Sequence, residues 1–276
     1  MPYWTDKVAL VTGGSQGLGL SIARLLVEAG ARVVITARDE ERLGAAANAI
    51  STSDRKCDWL RADVTQQDQV EALIAQIIAR HQRLDLLVNC AGRSSRGEVA
   101  ATSAEQFREL IELNFLSAVR CTQAALPHLL VSCGHVVQMG SLAAKVASRH
   151  LGAYPASKFP LSAYAQQMRL ELGPRGLHVL LVCPGPIRRD DAGTRYDEQT
   201  IGLPAAARQP GGGVKLKGVD PAWLAQRILI ACERRQPELV VPARAKLLFA
   251  LSQLWPSLGD WIISRMTGGS AEPPSN

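Results

Sequence analysis

The sequence predicts an α/β fold, in which a doubly wound parallel sheet carries helices on both faces of a single domain. Two features of the 276-residue chain favour this fold class. Short β-branched runs alternate with longer segments of helical periodicity, and several of the short runs are apolar almost throughout. Strands of a parallel sheet have this composition because helices cover both of their faces.

Seven segments are predicted as strands, at residues 7–12, 31–37, 57–62, 84–90, 134–140, 177–183 and 238–242. Helices are predicted between them, up to Gly30, from Asp39, from Gln66, through about 103–131 and from Tyr154. Residues 1–242 therefore make up the predicted domain. Such sheets bind ligands at the carboxyl ends of their strands, so the segments that follow the strands are the first candidates for functional residues.

Composition limits the classes of function. A chain with 47% hydrophobic and 20% charged residues can bury a sizeable core. The net charge of +6 comes from 31 basic and 25 acidic residues without a long basic run. This charge favours a nucleotide or an anionic membrane as a ligand and argues against nucleic acid. The six cysteines form no CxxC pair and lie mostly in apolar contexts, so we expect reduced core residues, no disulfide and no metal site.

The start of the chain lacks the basic and apolar regions of a secretory signal, and we expect none. No uncharged apolar stretch is long enough to span a bilayer. We therefore expect a cytoplasmic protein.

The first predicted strand is followed at once by TGGSQGLG, residues 12–19. Glycines allow a tight turn there and let the backbone approach a pyrophosphate, and the helix that follows offers its positive N-terminus to negative charge. The loop therefore predicts a Rossmann-like dinucleotide site. The loop residues predicted to contact the cofactor are Gly13, Ser15, Gln16, Gly17, Leu18 and Gly19.

Tyr154 and Lys158 are four residues apart at the start of a predicted helix. This spacing stacks an ammonium beside a phenol and changes the acidity of the phenol. Alternatively, Tyr154 caps a helix whose polar face holds a lysine. Pro155 falls in the first turn, where a missing N–H costs little, so the helix can begin at or just before Tyr154. Pro160 removes the hydrogen bond to the Ala156 carbonyl, so we predict a kink or a loosened first turn.

Over about residues 5–242 the sequence resembles the short-chain dehydrogenase/reductase family, with motifs in the family's order and spacing. The glycine loop has the family's spacing, TGxxxGxG, and NCAG at 89–92 matches its NNAG except that Cys90 replaces the second asparagine. In ADVT, the resemblance implies that Asp63 lies near the adenine amino group and Val64 against the ring. The other implied cofactor contacts are Asn89, Ala91, Gly92, Tyr154, Lys158, Pro184, Gly185 and Ile187.

Four residues match the family's catalytic tetrad, namely Asn114, Ser141, Tyr154 and Lys158. The resemblance implies that Tyr154 exchanges a proton with the substrate oxygen while Ser141 holds that oxygen by a hydrogen bond. Lys158 would lower the pKa of Tyr154 and bind the nicotinamide ribose, and Asn114 would hold a water that relays protons. On the residues alone, Asn114 could instead be a satisfied buried amide and Ser141 a strand-end residue that caps a turn.

The end of the second predicted strand bears on the choice of cofactor. An acidic residue there would bind the ribose 2′-hydroxyl of NAD, but Ala37 occupies the place and Arg38 follows. A guanidinium suits a 2′-phosphate, so the resemblance implies NADP(H) as the preferred cofactor, with NAD(H) as the alternative. Ser15 could add a hydrogen bond. In the other interpretation, this stretch is a solvated helix start with Asp39 as its N-cap.

The segment after the sixth predicted strand departs from the family pattern. The family has a threonine two or three positions beyond the residue that matches Ile187, where it holds the nicotinamide carboxamide. Arg188, Arg189 and Asp190 occupy this stretch, and the arginines face cofactor phosphate, an anionic substrate or water. Residues 188–218 as a whole break the alternation of strands and helices and predict a substrate loop, with disorder as the alternative.

Residues 243–266 form an apolar and aromatic extension after the last predicted strand. It suits an amphipathic helix pair, broken at Pro256, that closes over the substrate cleft, packs between subunits or lies on a membrane surface. The extension is loosely similar to the branch of the family that contains the 11β-hydroxysteroid dehydrogenases. Residues 267–276 are predicted to be a flexible tail.

These observations together predict an NADP(H)-dependent oxidoreductase that interconverts a ketone or aldehyde with an alcohol, working chiefly as a carbonyl reductase on an apolar substrate. The alternatives are the same reaction with NAD(H), or a catalytically inactive nucleotide-binding scaffold or sensor. The family implies a homodimer or homotetramer. We expect a small carbonyl or alcohol as substrate, no nucleic acid, no metal, and peripheral membrane contact through residues 243–266 as an option.

Overall fold

The computed structural model describes residues 3–189, 195–214 and 216–267. Asp190 and the rest of 190–194, Lys215, and the predicted tail from residue 268 onward lie outside the described residues.

Seven parallel strands form one sheet in the order β3, β2, β1, β4, β5, β6, β7. Each predicted strand is present close to its predicted ends. The strands are β1 Val8–Thr12, β2 Arg32–Ala37, β3 Asp58–Arg61, β4 Leu86–Asn89, β5 His135–Met139, β6 His178–Pro184 and β7 Glu238–Val241. The predicted doubly wound α/β fold is thereby confirmed.

Helices pack on both faces of this sheet in two apolar clusters. One cluster joins the sheet to α1, α2 and α8, and the other joins it to α3, α5 and α6. The helices are α1 Gly17–Glu28, α2 Glu40–Ile50, α3 Gln67–His81, α4 Ala104–Ile111, α5 Ser117–Val131, α6 Tyr154–Leu172, α7 Ala205–Arg208, α8 Pro221–Glu233, α9 Ala245–Leu254 and α10 Pro256–Met266.

The order of the strands reverses at the centre of the sheet, between β1 and β4, and this reversal positions the site. β1 pairs with β2 on one side and with β4 on the other, with Thr12 opposite both Thr36 and Asn89. The connections from β1 and from β4 therefore leave the sheet toward opposite faces. A crevice opens between them at the carboxyl ends of the strands, as the doubly wound topology requires.

Helix starts agree with the local sequence. Asp39 caps α2 by accepting a hydrogen bond from the backbone N–H of Arg42 at 3.0 Å, so its predicted N-cap role is confirmed. α6 begins at Tyr154 with Pro155 in its first turn, as predicted. The helix runs on through Pro160 to Leu172, and the predicted kink or loosened first turn stays a prediction.

The predicted helical stretch at about 103–131 contains an irregularity that periodicity does not reveal. A π-helical turn, Glu112–Leu116, joins α4 to α5 and carries Asn114. Such turns add a residue to the helix and redirect one side chain, and they are frequent at functional sites.

The cysteines are all free. Cys57, Cys121, Cys183 and Cys232 are buried, as expected, and Cys90 is half-buried. Cys133, which follows α5 with a left-handed backbone, is exposed. The prediction of core cysteines is wrong for this residue.

A buried histidine pair lies at the amino ends of β5 and β6. The Nδ1 atoms of His135 and His178 are 2.8 Å apart, Nε2 of His178 lies 2.8 Å from the Gln236 carbonyl, and Nε2 of His135 lies 2.6 Å from the Tyr3 hydroxyl. Because a carbonyl only accepts, His178 Nε2 carries the proton, and the chain then runs from Tyr3 to His135 to His178 to Gln236 with both rings neutral. Cys232 Sγ lies within 4.8 Å of ring nitrogens of this pair, but hydrogen bonds already engage all four nitrogens.

The extension forms two helices, as predicted. α9 and α10 cross closely at Gly259, where an added Cβ would stand 2.7 Å from the Cα of Ser252. Phe249 packs against the core beneath. In the described part of the chain, no helix combines the length and apolarity needed to cross a membrane.

Candidate active site

A cavity of about 1170 Å³ occupies the crevice at the carboxyl ends of the strands. Its volume exceeds that of an ordinary drug-sized pocket and suits a dinucleotide with a substrate beside it. Most of the predicted site residues line it. They are Gly13, Ser15, Gln16, Gly17, Leu18, Gly19, Arg38, Asp63, Val64, Ala91, Gly92, Ser141, Tyr154, Lys158, Pro184, Gly185 and Ile187.

The glycine loop has the geometry of a diphosphate cradle. Gly13 has a φ of 65°, and a Cβ on it would stand 3.0 Å from the backbone of Ala91. The Thr12 hydroxyl accepts hydrogen bonds from the N–H groups of Cys90 and Ala91 at 3.0 and 3.1 Å, which fixes the two loops together. The Gln16 side chain does not cap the N-terminus of α1, and the first residues of this helix line the cavity, so the helix end fits an anion.

Two arginines lie where β2 ends. Arg38 lines the cavity beside Ala37, and Arg42, which sequence reasoning missed, lines it one turn into α2. Asp39 does not compete for a ribose there, because it caps α2 and pairs with Arg42 Nε at 3.1 Å. This end of the cavity therefore carries two guanidinium groups, with the Asp39 and Asp63 carboxylates also on its lining.

Tyr154 and Lys158 project from the first turns of α6. Lys158 is 6% exposed, and its ammonium donates a hydrogen bond to the Met139 carbonyl at 2.8 Å. Burial lowers the pKa of Lys158 to about 8, against the opposing influence of Cys90 and Cys183. The lysine is thus fixed beside the end of β5, and its effect on the acidity of Tyr154 stays a prediction.

Burial raises the pKa of Tyr154 above the ordinary value for a phenol. The hydrogen bond with the Ser141 hydroxyl lowers this pKa. Tyr196 raises it, and the positive charge of Arg96 lowers it. The phenol consequently holds its proton at neutral pH and is suited to act as an acid.

Ser141 both lines the cavity and caps a turn. It follows β5, and its hydroxyl oxygen accepts a hydrogen bond from the Ala143 N–H at 3.1 Å, at the start of a short 3₁₀ turn. The two interpretations of Ser141 are therefore compatible, because the cap fixes its side chain beside Tyr154.

Asn114 is a satisfied buried amide that braces the loop after β4. Its Nδ2 donates to the Arg93 carbonyl at 2.8 Å and to the Ser157 hydroxyl at 2.9 Å, and its Oδ1 accepts from the Arg93 N–H at 2.9 Å. A Cβ on Gly92 would stand only 2.6 Å from that oxygen. The structure thus gives Asn114 a bracing role, and its predicted water relay stays a prediction.

Asn89 requires a correction. It ends β4 but points into the core, where its amide nitrogen donates to Thr122 at 2.9 Å and to Gln138 at 3.3 Å. It does not line the cavity, and its predicted contact with the cofactor becomes a supporting role for the strands behind.

The two arginines after β6 have different surroundings. Arg188 lines the cavity and pairs with Asp220, the residue that caps α8. Arg189 lies over the glycine loop, with its Nη1 3.3 Å from where a Cβ on Gly17 would be. Of the three options left open by the sequence, the position of Arg189 favours cofactor phosphate.

Sequence reasoning also missed the residues that close the far end of the cavity. Arg96, from the loop after β4, and Tyr196 lie on this wall with Tyr154. Leu248 of α9 and Ile263 and Met266 of α10 add an apolar surface. The extension therefore closes over the cleft, which was one of its three predicted roles.

Comparisons with known proteins agree with this arrangement. The family model for short chain dehydrogenase matches residues 7–200. The chain is 31% identical over 93% of its length to a Danio rerio dehydrogenase/reductase SDR family member 7B, of which 84% is covered, and 36% identical over 67% of its length to a Bos taurus L-fucose dehydrogenase, of which 67% is covered. A crystal structure of a short-chain dehydrogenase from Streptomyces avermitilis superposes with a TM-score of 0.79 at 30% identity, covering 94% of this chain and 98% of that one.

The glycine loop, the tyrosine and lysine of α6, and the serine after β5 thus meet in one cavity of a fold that matches over most of its length. The chain belongs to the short-chain dehydrogenase/reductase family of oxidoreductases.

Proposed function

We propose that the protein is an NADPH-dependent carbonyl reductase. One observation carries the proposal: Ser141, Tyr154 and Lys158 line the same cavity as the uncapped N-terminus of α1. A bound nicotinamide cofactor would supply the hydride. The glycine loop would hold its diphosphate, and Asp63 and Val64 its adenine.

The chain's own residues supply the proton chemistry. Tyr154 donates its proton to the substrate oxygen, and Ser141 donates a hydrogen bond to the same oxygen as negative charge develops on it. Because burial raises the pKa of Tyr154, the phenol is protonated at neutral pH, which favours reduction over oxidation. Lys158, held by the Met139 carbonyl, would bind the nicotinamide ribose.

The preference for NADPH rests on the arginines at the end of β2. Arg38 and Arg42 line the cavity there, and both acids on the same lining have protein partners, since Asp39 caps α2 and pairs with Arg42 while Asp63 accepts hydrogen bonds from Thr65. A 2′-phosphate gains charge-assisted hydrogen bonds from guanidinium groups, whereas a ribose diol gains little from them. The same reaction with NADH is the alternative.

The substrate we propose is a bulky apolar ketone or aldehyde. Leu248, Ile263 and Met266 give the far wall of the cavity an apolar surface. One relative is named L-fucose dehydrogenase, so L-fucose is the appropriate polar comparison. Preferential turnover of L-fucose with NAD would overturn the proposed substrate class.

The test begins with calorimetric titrations of NADPH and NADH in parallel. We expect tighter binding of NADPH, weakened roughly 10- to 100-fold by Arg38→Ala, since one charge-assisted hydrogen bond contributes about 1.5–3 kcal/mol. Arg208→Ala, an exposed change outside the cavity, serves as the control.

Tyr154→Phe should abolish turnover and leave NADPH binding intact. Binding of a cofactor without turnover of any carbonyl or alcohol would favour the nucleotide-binding scaffold alternative, and binding of neither cofactor would overturn the proposal.

The outer face of the extension supports a second proposal, contact with an anionic membrane surface. Leu247, Leu254, Trp255, Leu258 and Trp261 are exposed on it. Three exposed cations, Arg244, Lys246 and Arg265, flank this patch against a single acid, Asp260, and Arg265 lies 4.2 Å over the Trp261 ring. Aromatic and aliphatic side chains edged by cations suit an interface with anionic lipid headgroups.

Flotation with vesicles tests this contact. We expect binding to mixed phosphatidylcholine and phosphatidylserine vesicles, weaker binding to phosphatidylcholine alone, and loss of binding in the double variant Trp255→Ala, Trp261→Ala. Trp223→Ala is the matched control, because Trp223 is similarly exposed but lies on α8. Sedimentation of the protein as a dimer or tetramer that the double variant dissociates would show instead that a second copy covers this face.

A further inference from the structure

Arg96 is a buried cation without an ion pair among the described residues. It is only 7% exposed, in the loop that leads from β4, and burial lowers its pKa. A buried charge is costly unless its surroundings compensate it. The groups that contact the Arg96 guanidinium therefore indicate its role.

Neutral acceptors surround the guanidinium. Nη1 donates to the Ser94 hydroxyl and to the Ser95 carbonyl, both at 2.8 Å, within its own loop. Nε donates to the Ala207 carbonyl at 2.9 Å, and Nη2 to the Gln209 carbonyl at 3.4 Å. These bonds use four of the five N–H groups of an arginine. A carboxylate or phosphate ligand would need two of them, so Arg96 is not built to bind an anionic substrate.

The partners of Arg96 outside its own loop belong to one stretch of chain, residues 195–214, which we call the cavity segment. Besides the bonds to Ala207 and Gln209, the backbone N–H of Arg96 donates to Gln199 Oε1 at 2.9 Å. The Tyr196 ring stacks on the guanidinium, with 3.8 Å from Cζ to the ring centroid. A single residue thus joins the loop after β4 to four residues of the cavity segment.

The same guanidinium lies on the cavity wall with Tyr154. Its positive charge and the Tyr196 hydroxyl both act on the Tyr154 phenol, in opposite directions. A movement of the cavity segment that pulled Tyr196 off Arg96 would therefore change the surroundings of the acid/base residue as well.

We propose that Arg96 is a positioning residue that holds the cavity segment closed over the substrate and keeps a positive charge beside the Tyr154 phenol. Only the second role, the positive charge beside the Tyr154 phenol, rests on the proposed reaction. The two roles separate chemically, since lysine keeps the charge but not the planar fork of donors, whereas methionine keeps much of the length and neither the charge nor the fork.

Closure of the cavity segment is tested without any reaction, by limited trypsin digestion of the protein with NADPH present. Arg195 and Arg208 are the cleavage sites within the segment. We expect faster cleavage there in both Arg96→Met and Arg96→Lys than in the wild-type protein. Arg108→Met is the control, because Arg108 is exposed on α4 and pairs with neighbouring Glu105. Wild-type cleavage rates in both Arg96 variants would overturn the closure role.

The charge is tested by the pH dependence of kcat/KM for alcohol oxidation, which needs ionised Tyr154 and so rises with pH through its pKa. Loss of a nearby cation raises that pKa, so Arg96→Met should move the rise about one pH unit upward. Arg96→Lys should leave the rise within a few tenths of a unit of the wild type and raise KM about tenfold through the lost hydrogen bonds. An unshifted pH profile in Arg96→Met would show that the charge of Arg96 does not act on Tyr154, and would overturn this half of the proposal.

Circular dichroism melts show whether each variant is folded before these comparisons. If the wild-type protein turns over no carbonyl or alcohol, the proposed function fails, but the digestion experiment still decides whether Arg96 closes the segment. The two failures are therefore distinguishable.

Discussion

At the scale of single residues, the two arginines after β6 show how neighbours of one type acquire different roles. The sequence left both facing phosphate, substrate or water. The fold separates them, because Arg188 pairs with the cap of α8, whereas Arg189 lies over Gly17 at the start of α1. Arg189 is therefore placed to add positive charge to the diphosphate cradle, close to where the family carries a threonine.

We predict that Arg189→Ala weakens the binding of NADPH and of NADH by about the same factor, roughly tenfold, because the diphosphate is common to both. Arg38→Ala should weaken NADPH alone. Calorimetry with the two cofactors measures both variants, and adenosine 2′-monophosphate, which lacks a diphosphate, should bind Arg189→Ala normally. Arg188→Ala is the matched control, and an effect of Arg188 equal to that of Arg189 would contradict the assignment.

Motif spacing predicted the residues of the site that act from fixed backbone positions. Ser141, Tyr154 and Lys158 line the cavity as expected, since each follows a strand or begins a helix. The Asn89 side chain was assigned to the wrong side of the sheet. Successive residues of a strand point to opposite faces, and motif spacing alone does not tell which face a terminal residue takes. Arg96 was missed because its partners in the cavity segment, such as Gln199, Ala207 and Gln209, lie about a hundred residues away in the chain.

At the scale of elements, the extension depends on one close crossing. A Cβ on Gly259 would stand 2.5 Å from Ser252 Oγ and 2.7 Å from its Cα, so α9 and α10 approach as near as they do only because this residue is glycine. The inner faces of the two helices then line the cavity while the outer faces carry the exposed tryptophans.

We predict that Gly259→Ala destabilises the protein by about 1–3 kcal/mol, the usual cost of overpacking, and raises KM for an apolar substrate. Gly173→Ala is the control, because Gly173 lies at the end of α6 and a Cβ on it would meet no packed neighbour within 4 Å. That change should be neutral or slightly stabilising. Urea denaturation measures both, and equal stabilities would contradict the close crossing.

Elements were otherwise the most predictable level of this structure. The central strands were predictable from their apolar runs, because burial on both faces leaves a strong compositional signal. The signal is weaker in β3, an edge strand whose residues alternate between half-buried and exposed. The π turn at Asn114 was not, since a single added residue barely alters helical periodicity. Its cause is tertiary, in that the Asn114 amide must reach the backbone of Arg93.

At the scale of the whole molecule, the histidine pair couples stability to acidity. Burial lowers the pKa of His135 to about 3 and that of His178 to about 4. In the unfolded chain both return to about 6.5. Between these values the unfolded state binds more protons than the native state, so stability is fully present above about pH 6.5 and is lost as the pH falls toward the folded pKa values.

We predict that the free energy of unfolding falls below pH 6.5 by up to about 1.4 kcal/mol per pH unit for each histidine. Urea denaturation at a series of pH values between about 7 and 5 measures the slope. His178→Gln should be less stable at neutral pH and should show a shallower slope, whereas His128→Gln on α5 should keep the wild-type slope. An unchanged slope in His178→Gln would exclude the pair as its source.

The cavity has one further consequence, because its walls come from α1 at one end and α10 at the other. A ligand that binds only the native chain raises the free energy of unfolding by about 2.7 kcal/mol at a hundred times its Kd. Melting temperature is therefore a readout of substrate identity that needs no assay of the reaction. Compounds whose thermal shift disappears when Ile263 and Met266 are replaced by alanine are those that occupy the apolar end.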